Sequence, residues 1–308
     1  MLDILGKRYL YFALSLVLIV PGLLILLLGG GMNMSIDFTG GSLLEVRFDS
    51  GTAPQPADVI ALYNEMGITD VTVKTSGADA LLIQSTFIDD ETRIALMDEM
   101  ETNFNDTITL LQYDSVGPSI GQEVTSRAGL AVAVAALGVI IYISLAFRGV
   151  ANAFRYGVCA ILAMIHDVLI VVSLSAIGGK FFGWQFDSLT LTAVLTVIGF
   201  SVQDKIVVFD RIRENSNIFR KISFETLANH SIIQSLGRSI NTQLMTSEFM
   251  LLALALFGGV TLREFAIILL VGLLSGTYSS IFIAAPTLVI WENKEWKTWF
   301  KKGGTSAA

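Results

Sequence analysis

Six apolar blocks, each about 20 residues long, constrain this chain more than any other feature. A block of that length is what an α-helix needs to cross a hydrocarbon core of about 30 Å. None of the blocks alternates apolar and polar residues in segments of about ten, as the strands of a membrane barrel do. The pattern therefore predicts an integral membrane protein with a bundle of six helices, at residues 9–28, 128–147, 154–177, 189–209, 240–257 and 265–291.

The first block could instead be a cleavable signal peptide. The apolar region of a signal peptide is only about 7–15 residues long and is followed by a small-x-small cleavage site. This block is longer, and Pro21-Gly22 inside it is expected to kink the helix rather than end it. We therefore favour an uncleaved membrane anchor.

The segment between the first two blocks has a different character. Residues 33–123 contain three basic and sixteen acidic residues. Alternating and helical spacings of apolar residues predict the order β-α-β-β-α-β, which is that of a split βαβ, ferredoxin-like domain. The predicted strands lie at 42–48, 71–74, 81–87 and 107–113, with helices at 56–66 and from residue 90 to about 104. The predicted fold class is thus a membrane all-α six-helix bundle with one inserted α+β ferredoxin-like domain.

Basic residues predict the orientation in the membrane, because cytoplasmic loops carry an excess of Lys and Arg. Lys7 and Arg8 precede the first block, and Arg148 and Arg155 separate the second from the third. Further basic residues follow the fourth and the sixth blocks. Both termini are therefore expected in the cytoplasm. The predicted parts are the N-terminus with the first helix at 1–31, an extracytoplasmic domain at 32–122, helices two to six at 123–291 and a cytoplasmic tail at 292–308.

Ionisable residues lie within the fourth block and at the start of the fifth predicted helix. An ionisable side chain at the centre of a membrane helix costs about 2.5–3.5 kcal/mol of insertion free energy, so it marks a functional candidate. Gln203-Asp204-Lys205 lies about four turns into the fourth block, and Arg238 begins the fifth helix, just before the block at 240–257. If these two helices pack antiparallel, Arg238 enters from the same side of the membrane and could reach Asp204.

A carboxylate that gains and loses an arginine partner can couple proton passage to a conformational change, because it stays ionised beside arginine and takes up a proton when buried alone. We predict that Asp204 carries a proton and that Arg238 modulates it. The alternative is a permanent Asp204–Arg238 or Asp204–Lys205 pair that only fixes helix packing. Lys205 itself is expected to extend to the membrane interface.

His166-Asp167, near the middle of the third block, is a secondary intramembrane candidate. The pair could take part in proton transfer. It could equally be a buried hydrogen-bonded pair that orders the bundle. The sequence leaves both interpretations open.

The last block presents small and hydroxyl-bearing residues. Gly272, Gly276 and Ser280 recur every four residues, which suits close packing of two helices. The hydroxyls within residues 275–280 could hold helices together or line a hydrated path.

Several kinds of chemistry lack their motifs. Cys159 is the only cysteine, and no Cys/His cluster has metal-ligand spacing. There is no phosphate-binding loop and no hydrolase motif, so we predict no cofactor, no metal and no enzymatic activity. The short basic loop after the fourth block lacks interleaved aromatic residues, so nucleic-acid binding is not indicated.

Five motifs, in order along the chain, resemble those of the SecD/SecF family, and the single small soluble domain matches its SecF branch. They are IDFTGG at 36–41 with Asp37, Gly40 and Gly41, VGPSIG at 116–121 with Gly117 and Pro118, GFSVQD at 199–204, RSINT at 238–242, and GTYSSI at 276–281 with Gly276, Ser279 and Ser280.

The resemblance implies a subunit of a proton-driven machine of the resistance-nodulation-division type. Such a chain would supply half of a twelve-helix bundle in the bacterial cytoplasmic membrane, surrounded by lipid. Its partners would be SecD, the SecYEG channel, YajC and the unfolded preprotein, whose export the proton-motive force would promote.

Carried over by position, the essential aspartate of the family falls on Asp204 and the essential arginine on Arg238. Two residues depart from the family pattern. Gln203 stands where Asn is usual, and Lys205 stands where a small or hydroxyl residue is usual. Two other functions remain open. One is a half-sized proton-coupled exporter of lipids or small hydrophobic solutes, and the other is a non-transporting membrane scaffold or sensor.

Overall fold

The computed structural model describes residues 3–29, 31–148, 152–219, 221–243, 249–258 and 260–299. The chain divides into two compact units. One comprises the residues up to Asn33 together with those from Ala131 onward, and the other is Met34–Leu130. The elements are α1 (Arg8–Leu28), α2 (Ile36–Thr39), β1 (Gly41–Phe48), α3 (Pro56–Glu65), β2 (Thr72–Ser76), β3 (Ala80–Ser85), α4 (Asp90–Phe104), β4 (Ile108–Val116), α5 (Pro118–Ala146), α6 (Ala153–Phe182), α7 (Ser188–Ile218), α8 (Phe224–Gln243), α9 (Phe249–Phe257), α10 (Val260–Ser279), α11 (Ala285–Asn293) and α12 (Trp296–Trp299).

Five helical stretches in the described part of the chain are long and apolar enough to cross a membrane. They cover Leu5–Leu28, Pro118–Ala146, Ala153–Phe182, Ser188–Ile218 and Leu262–Asn293. Five of the six predicted blocks coincide with these stretches. The remaining block, 240–257, falls on the end of α8, on residues outside the described ranges and on α9, so a sixth span stays a prediction.

The first membrane helix continues through its proline. α1 runs to Leu28 with Pro21 inside it, so Pro21-Gly22 does not end the helix, as predicted. At Gly22 the backbone of α1 approaches α6 so closely that a Cβ would lie 2.4 Å from the Cα of Ser173. The Ser173 hydroxyl donates to the carbonyl of Leu18 at 2.8 Å. This crossing holds α1 against the helix that carries His166 and Asp167.

Helix α10 also packs closely on its neighbours, through the small residues that the sequence indicates. A Cβ on Gly272 would lie 2.3 Å from the Cγ2 of Val197 on α7, and a Cβ on Gly276 would lie 3.3 Å from the Cα of Ser201. Backbones can approach this far only where side chains are absent. After α10 the helix passes through a π-helical turn at Ser280–Ala284 before α11 begins.

The smaller unit contains a four-stranded antiparallel sheet in the order β2-β3-β1-β4. The predicted succession of strands and helices is present, with strand bounds that differ by up to three residues. Alternate residues of β1 point to one core shared with α3 and α4, made mainly of Leu44, Val46, Phe48, Val59, Tyr63, Leu96 and Met100. Burial in this core raises the pKa of the Tyr63 phenol.

The two family-like motifs of the smaller unit meet where its chain enters and leaves. Gly40 and Gly41 have φ angles of 74° and 136°. Residues that carry a Cβ atom rarely adopt such angles. A Cβ on Gly41 would lie 2.5 Å from the carbonyl oxygen of Ser85, and a Cβ on Gly121 would lie 2.6 Å from the backbone nitrogen of Gly40. Asp37 lies in α2, while Gly117 and Pro118 lead into α5.

We expect Gly22→Leu to destabilise the helical unit, because the added side chain meets the backbone of α6. Overpacking of this kind costs about 1–3 kcal/mol. The measurement is the thermal unfolding midpoint of the full chain in detergent. Gly129→Leu is the matched control, since a Cβ on Gly129 meets no atom within 4 Å. Equal midpoints for the two variants would contradict the described crossing.

Candidate functional site

The ionisable residues of α6 and α7 lie together in the interior of the helical unit. Asp167 and Lys205 have no exposed surface, and Asp204 is 7% exposed. On α6, Asp167 follows Ala160 and Ala163 along the buried face. The helical period thus turns the carboxylate into the bundle rather than toward lipid.

Asp167 is surrounded by hydrogen-bond donors. The Lys205 ammonium lies 2.8 Å from its Oδ2, and Nδ1 of His166 lies 3.1 Å from its Oδ1. Three hydroxyls also donate to this carboxylate, from Ser201 at 2.5 Å, Ser275 at 2.7 Å and Ser279 at 2.7 Å. A buried ion pair is tolerable when further hydrogen bonds satisfy both ions. Asp167 meets this condition with donors from α6, α7 and α10.

The prediction that Lys205 extends to the membrane interface is wrong. Its ammonium points into the core, where it donates to Asp167, to the carbonyl of Ser201 at 3.1 Å and to the Ser201 hydroxyl. Ser201 precedes Lys205 by four residues and therefore lies on the same face of α7. The oxygens of Asp167 and Ser201 replace the water that the ammonium would otherwise have to reach at the membrane interface. The ion pair described for Lys205 is with Asp167 and not with Asp204.

Asp204 has a sparser environment. Its Oδ2 accepts a hydrogen bond from the Thr277 hydroxyl of α10 at 3.0 Å. Within the described residues, it is the one hydrogen bond that the Asp204 carboxyl accepts. Asp204 also interacts electrostatically with Lys205 and Asp167. The two carboxylates thus differ in kind, because Asp167 is fully solvated by the protein and Asp204 is not.

The structure does not bring Arg238 to Asp204. Arg238 is exposed on α8, and in the described part of the chain no ion pair joins the two residues. Asn215 of α7 fixes the neighbouring face of α8 by donating to Ser231 at 2.8 Å and to Gln234 at 3.0 Å. Further along α8 the buried side chains are Ser235 and Ser239, and Arg238 beside them is exposed. The Asp204–Arg238 pair stays a prediction for another conformation.

Gln203 lies beside the charge cluster, at a cleft. Its side chain is exposed and borders an opening of about 540 Å³ between α5 and α7. The remaining lining residues are apolar or small, apart from one phenol: Ala135, Gly138, Val139, Tyr142, Gly199 and Val202.

The secondary candidates, His166 and Asp167, are hydrogen-bonded to each other. Nε2 of His166 also lies 2.8 Å from the hydroxyl of Ser15 on α1, and its ring stacks on Tyr278 with centroids 6.1 Å apart. Of the family-like residues in and just after α10, Ser279 donates to Asp167, and the Ser280 hydroxyl donates to the carbonyl of Gly276 at 2.7 Å.

Sequence reasoning missed Ser15 and Ser201. Each is a polar residue within an apolar block, and such residues tend to hydrogen-bond across helices. Ser201 also precedes Lys205 by one turn, which was a usable signal. Among the described residues no group of three or more His, Cys, Asp or Glu side chains could hold a metal ion.

We expect Asp167→Asn to destabilise the chain by about 3–5 kcal/mol, because it leaves the Lys205 ammonium buried without its counter-charge. Asp167→Asn combined with Lys205→Met should be less destabilised than Asp167→Asn alone. The free energy of unfolding of the full chain in detergent measures both.

Asp210→Asn is the control for this comparison. Asp210 pairs with Arg213 at 2.5 Å, but both side chains are about half exposed, so the loss should stay within about 1 kcal/mol. A loss for Asp167→Asn no larger than this control would show that the described pair does not form.

Comparison with known families identifies two matching segments. A family model described as "Protein export membrane protein SecD/SecF, C-terminal" matches residues 96–294. A second, described as "SecD/SecF GG Motif", matches residues 25–52. The first segment contains the charge cluster, and the second contains Gly40 and Gly41.

Curated relatives cover the whole chain. The protein translocase subunit SecF of Anaerolinea thermophila is 68% identical over 308 residues, which is 100% of both chains. That of Thermobaculum terrenum is 43% identical over 320 residues, covering 100% of this chain and 99% of the relative. The protein translocase subunit SecDF of Thermus thermophilus is 35% identical over 86% of this chain and 35% of its own length.

Two solved structures share the fold. One is the crystal structure of the Thermus SecDF, described as a translocon-associated membrane protein, with a TM-score of 0.81 and 32% identity over 95% of this chain and 39% of that chain. The other is SecDF in a super-membrane-facing form, with a TM-score of 0.67 and 31% identity over 98% of this chain and 40% of that chain. The chain belongs to the SecD/SecF family of protein export membrane proteins.

Proposed function

We propose that this chain is an auxiliary subunit of the Sec preprotein translocase, which with SecD uses the proton-motive force to promote protein export across the bacterial cytoplasmic membrane. The observation that carries the proposal is the Asp204 carboxyl, buried in the bundle and supported by the Thr277 hydroxyl. A carboxyl so sparsely solvated exchanges a proton when its surroundings change.

SecD is the proposed partner inside the membrane. In the Thermus relative one longer chain is named SecDF, and the present chain covers 35% of it. We therefore propose that two separate chains here form what one chain forms there, a twelve-helix bundle. SecYEG, YajC and the unfolded preprotein are proposed as further partners from the family resemblance, and no ATP-binding loop is present in the sequence.

The proposed topology has six membrane helices with both termini in the cytoplasm. The positions of the basic residues favour this orientation. The region from about residue 32 to residue 122 is proposed to be a ferredoxin-like extracytoplasmic domain. The antiparallel strand order β2-β3-β1-β4, together with the intervening helices α3 and α4, supports that assignment.

The proposed mechanism uses two states of Asp204. In the described state its oxygen accepts from Thr277 while Arg238 is exposed. In the second state α8 moves so that Arg238 faces Asp204, which is then ionised. Lys205 stays with Asp167 in both states, because a buried ammonium held by Asp167 and by two oxygens of Ser201 is costly to remove. Gln203 beside the cleft is the proposed polar contact at the entrance to this region.

We expect Asp204→Asn and Arg238→Met each to reduce proton flux and secretion at least about tenfold, equivalent to about 1.4 kcal/mol of lost coupling. The assay uses the full chain reconstituted with its SecD partner in vesicles that bear a proton gradient. Asparagine keeps the shape of the carboxyl but cannot exchange the proton. Methionine keeps an unbranched, flexible side chain without the charge of arginine.

Asp210→Asn and Arg211→Met serve as matched controls on α7. Both side chains are about half exposed and engaged in local pairs, so both activities should remain. Unchanged flux and secretion in Asp204→Asn would remove the mechanism. Loss of lipid movement without loss of secretion would favour an exporter, and tolerance of both variants would favour a scaffold.

A further inference from the structure

The imidazole of His166 has polar contacts at both ring nitrogens. Nδ1 lies 3.1 Å from Oδ1 of Asp167, and Nε2 lies 2.8 Å from the Ser15 hydroxyl. Beyond Ser15 the contacts continue, since its oxygen lies 3.4 Å from the Tyr278 phenol oxygen. That phenol lies 2.9 Å from the carbonyl oxygen of Tyr11. A chain of four hydrogen-bond contacts therefore runs from Asp167 to the backbone of α1.

Counting donors and acceptors shows which atom carries the proton in each of these four contacts. The Tyr11 carbonyl can only accept, so the Tyr278 phenol donates to it. Ser15 must then donate to Tyr278, which leaves Nε2 of His166 as the donor to Ser15. Asp167 is ionised against Lys205, so Nδ1 donates to it. All four contacts are satisfied together when both ring nitrogens carry a hydrogen, which is the imidazolium form.

Neutral imidazole satisfies one contact fewer. Nδ1 keeps its hydrogen for Asp167, and Nε2 then accepts from Ser15. The Ser15 hydroxyl has turned around and no longer donates to Tyr278. The contact given up is the 3.4 Å one, which is the longest and weakest of the four. The same heavy-atom arrangement therefore accommodates His166 with and without the second proton.

The charged residues around His166 carry one negative charge in excess when both carboxyls are ionised, so one added proton makes the cluster neutral. Asp167 and Asp204 supply two negative charges, and Lys205 supplies one positive charge. The other groups that face His166 are the side chains of Tyr278 and Ser15, and both are neutral. Arg238 is exposed on another helix. A low-dielectric interior strongly favours a neutral total. Neutrality requires one proton, on either Asp204 or His166.

We propose that His166 is a second protonation site of the bundle and that it shares a single exchangeable proton with Asp204. In the described state, with Arg238 exposed, His166 takes up a proton at Nε2 when the Asp204 carboxyl loses one, and the Ser15 hydroxyl reverses. Asp167 and Lys205 form the fixed pair between the two sites. The inference deepens the proposed proton coupling and rests on it for its role in transport. The state of His166 reaches α1 through Ser15.

The test is nitrogen NMR of the histidine side chain in the full chain, in lipid vesicles. The sequence contains two histidines, so histidine labelling combined with His230→Gln leaves His166 as the sole signal. We expect both the imidazolium and the Nδ1–H neutral form within roughly pH 5–8. A single neutral form across that range would overturn the proposal.

The link to Asp204 is tested by changing its charge. In Asp204→Asn the cluster is neutral without a proton on His166, so the imidazolium population at about pH 7 should fall at least about tenfold. Thr277→Val should also lower the imidazolium population. Without the Thr277 hydroxyl donor, the ionised form of Asp204 is less stable, so the shared proton stays on Asp204. Asp210→Asn is the control on the same helix. An imidazolium population in Asp204→Asn equal to that in Asp210→Asn would overturn the sharing.

This measurement is independent of transport. A shared proton could be observed even if Asp204→Asn kept normal secretion, in which case the proposed function would fail and the protonation site would stand. Conversely, loss of flux in Asp204→Asn with an unchanged His166 signal would leave the proposed function intact and remove His166 from it.

Discussion

The buried ion pair between Asp167 and Lys205 is the constraint on which the helical unit depends. Two opposite charges without exposed surface must be solvated entirely by the protein. The hydroxyls of Ser201, Ser275 and Ser279 fulfil that requirement. Two of them come from α10, so α10 must approach α6 and α7 closely. The glycines of α10 allow that approach, and the spacing of small and hydroxyl residues in the last apolar block follows from the ion pair.

The same helix treats the two carboxylates unequally. Ser275 and Ser279 are four residues apart and face Asp167, whereas Thr277 lies between them in sequence and faces Asp204. Helix α10 thereby gives Asp167 two hydroxyl donors and gives Asp204 a single one within the described residues. A π-helical turn follows at Ser280–Ala284, and such turns often occur at functional sites. The contrast between a carboxylate with many donors and one with few therefore involves α10, together with the donors that α6 and α7 give to Asp167.

The sequence predicted the helices well and the contacts between them less well. Block length fixed the five described spans, and alternation fixed the strands of the smaller unit, because both depend on local periodicity. Asp167 and Asp204 were identifiable because ionisable residues are rare in apolar helices. The partner of Lys205 was not predictable, since it depends on how α6 and α7 are rotated against each other. Arg238 shows the same limit, because spacing along α8 cannot tell how that helix is rotated about its axis against α7.

Lys205 also explains why one chain can complete its own cluster. The oxygens that surround its ammonium belong to Asp167 and Ser201, and the hydroxyls that complete the Asp167 shell belong to α7 and α10. No group outside this chain is needed to balance that pair. Asp204 differs, because its single described donor leaves most of its hydrogen-bonding capacity unused. A buried group with unused capacity is the one expected to respond when neighbouring helices move, and for that reason we propose Asp204, rather than Asp167, as the carboxyl that exchanges its proton.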